Sequence, residues 1–243
     1  MSDLKSSIPV LRQSVAAILK VRVDKKLKYH VNWGSAFCVV SDKYLVSAFH
    51  VLNDGKPRDP STKFYALVVP DNGDAFFTFP VVGFPLERKD LDIAVLELSP
   101  CSNPQIHISA LQVSYAPQAD GTEVLTMGFP APEVGGLDVD HAGNVNRGEF
   151  FLKSHANAGI VSARYMLQVS GGQLFYELNV GWHHGESSGP IAAVMADRPV
   201  AFSLMQHYRE VQGPHGVLDG PRRGIGLSCI RQELQALGAI ESR

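Results

Sequence analysis

Apolar and polar residues alternate along most of this chain. Val161, Ala163, Tyr165, Leu167 and Val169 fall on one side of an extended backbone, with Ser162, Arg164 and Gln168 on the other. Leu174, Tyr176, Leu178 and Val180 repeat the pattern after Ser170-Gly171-Gly172, which reads as a hairpin turn. Period-two patterns or short apolar runs bounded by turn residues predict further strands over 17–23, 35–40, 44–47, 64–69, 76–82, 93–98, 123–127, 149–153, 190–195 and 200–204. A helical period is clear only near the C-terminus, where Ile230, Leu234 and Leu237 recur at i, i+4 and i+7. With Ser228 as the expected N-cap and Gly238 as the stop, that predicts one helix over about 229–238. Strands that follow one another without intervening helices predict an all-β protein of antiparallel sandwiches or barrels.

The stretch from 99 to 121 is rich in Pro, Ser, Asn and Gln and carries the weakest pattern, so it is expected to connect two β domains of similar size, 1–105 and 106–243. Two segments, 129–148 and 207–224, exceed ordinary connection lengths and read as long loops at a functional rim.

Composition narrows the function classes. Apolar residues make up 45% and charged residues 19%, enough for a sizeable core. The 22 Lys and Arg against 24 Asp and Glu leave a net charge of −2, which gives no field for nucleic acid or an anionic membrane. No window approaches 18 consecutive apolar residues, and the first residues lack a long apolar run behind a basic start, so neither insertion nor classical secretion is expected. Cys38, Cys101 and Cys229 cannot all pair and show no metal-ligand spacing. They read as free thiols in a reducing compartment, and the cytoplasm is the expected location.

Three short segments carry candidate chemistry. Gly34 to Val40 is a strand, Ser41-Asp42 a turn, and Tyr44 to Leu52 a second strand that places His50 at its end. Asp90-Leu91-Asp92 precedes the apolar run Ile93 to Leu96. Gly185-Glu186-Ser187-Ser188-Gly189-Pro190 is a Gly-x-Ser-x-Gly turn between strands. Each alone is weak: a lone histidine at a strand end is more often structural, and an acid before a strand is common punctuation. Their chemistry is complementary, however. A serine hydroxyl needs a neighbouring base to act as a nucleophile at neutral pH, and a histidine base needs an acceptor that holds its ring.

Taken together, in the order His, Asp, Ser, the three segments resemble the trypsin-like (chymotrypsin-fold) serine proteases. The Gly-x-x-Phe strand, the Leu-Val-Ser-Ala-x-His segment, Asp-Ile-Ala-Val-Leu and Gly-x-Ser-x-Gly-Pro all match as they stand, and the likeness covers roughly Ser14 to Leu237. It implies two antiparallel six-stranded β-barrels with a C-terminal α-helix, His50 and Asp92 in the first and Ser187 in the second. By the same resemblance His50 is the base, Asp92 its orienting acid, Ser187 the nucleophile, and the Gly185 and Ser187 backbone N–H groups the oxyanion hole. Asp90 and Ser188 are the competing acid and nucleophile. The implied partner is a polypeptide substrate, with no cofactor and no metal; any regulatory protein is unnamed.

Some features depart from the family pattern. Ser188 stands where the family has glycine, and is strained if the backbone there needs a glycine-like conformation. Glu186 replaces an acid that, in secreted relatives, pairs with a newly released N-terminus. No Ile-Val-Gly-Gly activation sequence is present, so the chain more closely resembles bacterial and organellar members, and Glu186 is expected to have another partner. By resemblance Gly181 lies at the base of the substrate pocket. Ser203, Leu204 and Met205 form its wall, with the backbone near Ser203 pairing with substrate, and Gly224 to Gly226 lie opposite. With no carboxylate near Gly181, a small or apolar side chain before the cut is expected; His183, His184 and His207 offer Glu as the alternative. Two other readings compete. An α/β-hydrolase would use the same turn with Asp197 and His207 or His215, but needs a helix directly after the serine. A chymotrypsin-like fold with an impaired triad would bind peptides without cutting them.

Overall fold

A computed structural model describes residues 4–24, 28–53, 59, 61–69, 76–101, 103–130, 132–167, 172–181, 186–206, 210–213, 216–219 and 222–242. The first six long strands are β1 (Val15–Val23), β2 (Tyr29–Val40), β3 (Tyr44–Ser47), β4 (Lys63–Val68), β5 (Phe77–Arg88) and β6 (Ile93–Leu98). They close into an antiparallel barrel in the order β1-β2-β3-β6-β5-β4. Ile18, Leu45, Leu67, Phe79 and Ile93 are among its fully buried side chains.

Residues 103–111 stay against this barrel. Ile108 N–H donates to Asp42 Oδ1 (2.7 Å) and Leu111 N–H to Cys38 O (2.9 Å). The chain then crosses over: β7 (Gln112–Val113) pairs in parallel with β14 (Arg198–Met205). Antiparallel β8 (Glu123–Gly128), β11 (His155–Leu167), β12 (Gln173–Asn179), β13 (Pro190–Met195), β14 and β17 (Arg222–Gly226) make the second barrel, closed by β13 on β14. Both barrels are as the resemblance implied, and the antiparallel topology removes the α/β-hydrolase reading. The residue that reading used, Asp197, lies in the β13–β14 hairpin turn with φ +63.

The second barrel explains why its strands look apolar on both faces. Val124, Val161, Leu174, Tyr176, Leu178, Ile191, Ala193, Phe202 and Met205 fill its interior. The alternate residues Leu125, Met127, Phe175, Ala192, Ala201, Leu204 and Ile225 face outward and join the core shared with the first barrel. Tyr176 meets Phe202 edge-on at 4.9 Å, and its hydroxyl accepts the Gln118 N–H (3.2 Å), so its one polar atom is satisfied.

Several local expectations are corrected. His50 is not at the end of a long strand: β3 stops at Ser47, and His50 lies in a one-turn helix, α2 (Phe49–Asn53). The N-terminal segment, which carried no expected element, is a helix, α1 (Leu4–Arg12), with Pro9 inside it and Leu11 fully buried. Leu4, Ile8 and Leu11 supply its inward side, too short a pattern to stand out before the helix packs on β8 and β14. The C-terminal helix is preceded by a 3₁₀ turn (Leu227–Ile230), and α3 runs Arg231–Ala236. Ser228 therefore lies inside the turn rather than capping; Ile230 holds the cap position without a side-chain bond, while Gly238 ends the helix at φ +93.

The two expected long loops are β-hairpins instead. β9 (Glu133–Val139) pairs with β10 (Val145–Phe151), and β15 (Glu210–Gly213) with β16 (Gly216–Asp219). The β9–β10 hairpin lies over the first barrel. Phe150 packs edge-on to Trp33 (5.5 Å) and Phe76 (4.8 Å), and Tyr65 Oη accepts the Val145 N–H (3.1 Å). Neither face of the pair is fully buried, so no strict alternation marks it in sequence. The turn of the β11–β12 hairpin, 168–171, lies outside the described residues, apart from Gly172 at φ +77. Among the described residues no helix is long and apolar enough to cross a membrane. The three cysteines are free thiols, and burial pushes Cys38 up to about 12, which keeps it a small apolar filler rather than a nucleophile.

Because Phe202 is 1% exposed and locked against Tyr176, Phe202→Ala should cost about 3–5 kcal/mol of stability, read from urea unfolding. A loss below about 1 kcal/mol would mean that the barrel interior collapses around the gap.

Candidate active site

His50 is placed by Asp92 rather than by its own helix, which is too short to be rigid alone. Asp92 closes the turn between β5 and β6 with φ +54, a left-handed conformation that aspartate tolerates better than most residues. From there it makes three bonds to the start of α2. Its carbonyl accepts Phe49 N–H (3.2 Å), Oδ1 accepts His50 N–H (2.9 Å), and Oδ2 accepts from His50 Nδ1 (2.7 Å). A carboxylate accepts, so Nδ1 is the donor in this bond, and in the neutral ring that makes Nε2 the acceptor. Both side chains are a little over a quarter exposed, so the pair opens to solvent.

Asp90, the competing acid, is turned away. Arg88 donates to both of its carboxylate oxygens (2.9 and 2.7 Å), and those bonds hold the Asp90 carboxyl below the usual carboxylate range.

Ser187 comes from the other barrel, in the tight turn that enters β13, closed by Gly189 N–H to Glu186 O (3.1 Å). Ser188 N–H donates to Met205 O (2.8 Å) and Met205 N–H to Gly189 O (2.9 Å), so the turn is clamped to the end of β14. Ser187 O accepts Ser35 N–H across the seam (3.2 Å), which docks the turn on β2 of the first barrel. The residue before Ser35 is Gly34, where any Cβ would run into Val51 Cγ1, next to His50. The bare backbone there lets β2, the serine turn and the histidine helix close on one spot.

Residues 34–200 match the family of trypsin-like peptidase domains. The chain belongs to that family. A comparison with curated proteins finds no match. The matched stretch of this trypsin-like domain spans α2, the Asp92 turn and the Ser187 turn, and it ends inside β14.

As a trypsin-like domain it also shows what its departures do. Ser188 has φ +77, the glycine-like conformation that the family pattern implies at this position. It is fully buried, and among the described residues its Oγ has no hydrogen-bond partner. Ser188 is thus enclosed, whereas Ser187 keeps 5% exposure.

The expected pocket residues divide. Gly181 is exposed just beyond the end of β12, facing the oxygen of the Asn157 amide, whose nitrogen donates to the Glu186 carboxylate (3.2 Å). The strand edge expected near Ser203 is closed. Ser203 pairs with both Ile191 and Gly226, and Leu204 with both Pro190 and Ile225, so a substrate strand cannot add there. Met205 is likewise spent on Gly189, Ser188 and its partner Gly224, and the space beside Gly224 is taken by Ile191 Cδ1 and Ser203 Oγ. Gly185, His183, His184, His207 and His215 lie outside the described residues. Among the described residues no cluster of His, Cys, Asp and Glu could hold a metal.

Gln206 was not singled out by the sequence, yet its Nε2 donates to Leu91 O (2.7 Å), one residue from Asp92. Its only signal is a polar side chain directly after the apolar run 200–205. Asn157 was missed as well; it donates to the buried Glu186 Oε1 (3.2 Å).

Replacing Ser188 by glycine should raise stability by about 1–2 kcal/mol, since it relieves a left-handed non-glycine residue and removes a buried unbonded hydroxyl. Thermal unfolding of Ser188→Gly checks this; a lower midpoint would show that Ser188 is held there by contacts that offset its strain.

Proposed function

We propose that this trypsin-like domain is a serine endopeptidase in which Ser187 attacks the scissile carbonyl, His50 acts as the base and Asp92 orients it. The observation that carries the reading is the Asp92–His50 pair. A carboxylate bonded to both the Nδ1–H and the backbone N–H of His50 fixes the ring and makes Nε2 the nitrogen that would take a proton.

In the first step the Ser187 Oγ–C bond forms as His50 Nε2 takes the hydroxyl proton. The imidazolium is stabilised by Asp92, and negative charge on the carbonyl oxygen falls to the Ser187 N–H, with Gly185 N–H as the second donor by family resemblance. The C–N bond then breaks, and the leaving amine takes the proton from His50. Water repeats the sequence on the acyl-enzyme: His50 accepts its proton, and Ser187 leaves with that proton restored to its hydroxyl. No cofactor enters these steps. Gly181 facing the neutral Asn157 amide supports a small or apolar side chain before the cut; His183, His184 and His207 remain the route to Glu.

One observation favours a second reading, a domain that holds peptides without cutting them: the strained Ser188 directly after the nucleophile. A fluorophosphonate probe separates the two. Covalent labelling at Ser187 supports the peptidase, and an unlabelled, folded protein supports the binding module. Ser187→Ala should lower peptide hydrolysis by about a millionfold. Asp92→Asn should lower it by roughly 10⁴-fold, because an amide favours the wrong ring tautomer. Unchanged turnover in Ser187→Ala would move the nucleophile elsewhere.

A further inference from the structure

The residue before the proposed nucleophile is a glutamate whose side chain is 4% exposed. Burying a carboxylate costs several kcal/mol unless it is bonded, so its surroundings have to be built for it. They are built from β8 and β11. Asn157 of β11 donates its Nδ2–H to Glu186 Oε1 (3.2 Å). His155, two residues earlier on the same face, has Nδ1 3.9 Å from that oxygen. Opposite His155 in the ladder is Gly128 of β8. A Cβ there would lie 2.7 Å from Glu186 Cα and 2.9 Å from Ser35 Oγ, so only glycine leaves room for the turn to descend.

Asn157 has a second contact. Its Oδ1 faces Gly181, where a Cβ would lie 3.1 Å away. One amide thus spans the carboxylate beneath Ser187 and the base of the expected substrate pocket.

The geometry points to Glu186 as a positioning residue: anchored by Asn157 and His155, it holds the backbone of Ser187 where the N–H meets developing charge. This rests on the peptidase reading of Ser187. It gives the chain an internal partner for the acid before the serine, drawn from its own strand β11. The two anchors are unequal. His155 is about half exposed and beyond hydrogen-bond distance, the kind of pair that contributes at most about 1 kcal/mol. Asn157 makes the hydrogen bond, and removing it leaves a buried carboxylate short of a donor.

The test compares the wild-type chain with Glu186→Ala, Glu186→Gln, Asn157→Ala, His155→Gln and the double variant Glu186→Ala/Asn157→Ala. Peptide hydrolysis and the fluorophosphonate labelling rate are read together with hydrogen exchange of the 186–190 segment. Glu186→Ala should lower kcat about 100-fold with KM within about twofold, since a small misplacement of a reacting group costs on that order. Glu186→Gln keeps an acceptor for Asn157 and should recover most of the loss. Asn157→Ala should fall between them and add nothing to Glu186→Ala, as expected of residues acting through one contact. His155→Gln should stay within about fivefold of wild type. Exchange of 186–190 should rise in Glu186→Ala and Asn157→Ala while that of β1–β6 is unchanged.

Wild-type kcat and exchange in folded Glu186→Ala or Asn157→Ala would overturn the proposal, as would a loss confined to KM. An inert wild type would defeat the peptidase reading alone, because exchange still shows whether Glu186 anchors the turn.

Discussion

Among the described residues three hydrogen bonds cross the seam between the barrels at the site, and the arrangement depends on them. Ser35 N–H reaches Ser187 O (3.2 Å), Phe129 N–H reaches Ser35 Oγ (2.9 Å), and Gln206 Nε2–H reaches Leu91 O (2.7 Å). The first two meet at one serine of β2, whose own carbonyl accepts Ser47 Oγ–H (2.9 Å). Ser35, Ser47 and Gln206 are all buried, so each lost bond would leave a dry polar group, at about 1–3 kcal/mol apiece. That penalty, more than the gain from any one bond, selects a single register of one barrel on the other.

The apolar seam supplies the bulk of the adhesion and these polar contacts its alignment. Outward residues of β8, β12, β13, β14 and β17 merge into the first barrel's core, a non-directional attraction that tolerates sliding. Hydrogen bonds between named backbone groups do not tolerate it. The Asp92 turn is braced from outside as well. Arg88 grips Asp90 and reaches Glu233 of α3 (3.5 Å), although exposed pairs of this kind contribute little to stability.

Strain collects where the chemistry is proposed. Asp92 and Ser188 both have positive φ, one at the acid and one beside the serine. Both are held by backbone bonds at either side: Asp92 by Phe49 and Lys89, Ser188 by Met205. Local cost accepted at a site and offset by the surrounding structure is the usual pattern for preorganised groups.

Much of this was legible along the chain, because strand periodicity and short motifs are local properties. Short apolar runs located β6 and β13 to the residue, and period-two alternation located the interior of β12 through Leu174, Tyr176 and Leu178. Other segments escaped: β9 has no fully buried face, β15 to β17 are short and carry few apolar residues, and α1 is a short amphipathic piece interrupted by Pro9. What residue order alone could not decide was contact between distant segments. That Asp92 rather than Asp90 meets His50, that Ser203 has no open edge, and that Glu186 finds Asn157 follow from which strands lie side by side. Strand pairing is set by burial summed over both barrels, a property of no single stretch. Residue types and their order determined what chemistry was available, while the closing of two barrels decided which of those groups could touch.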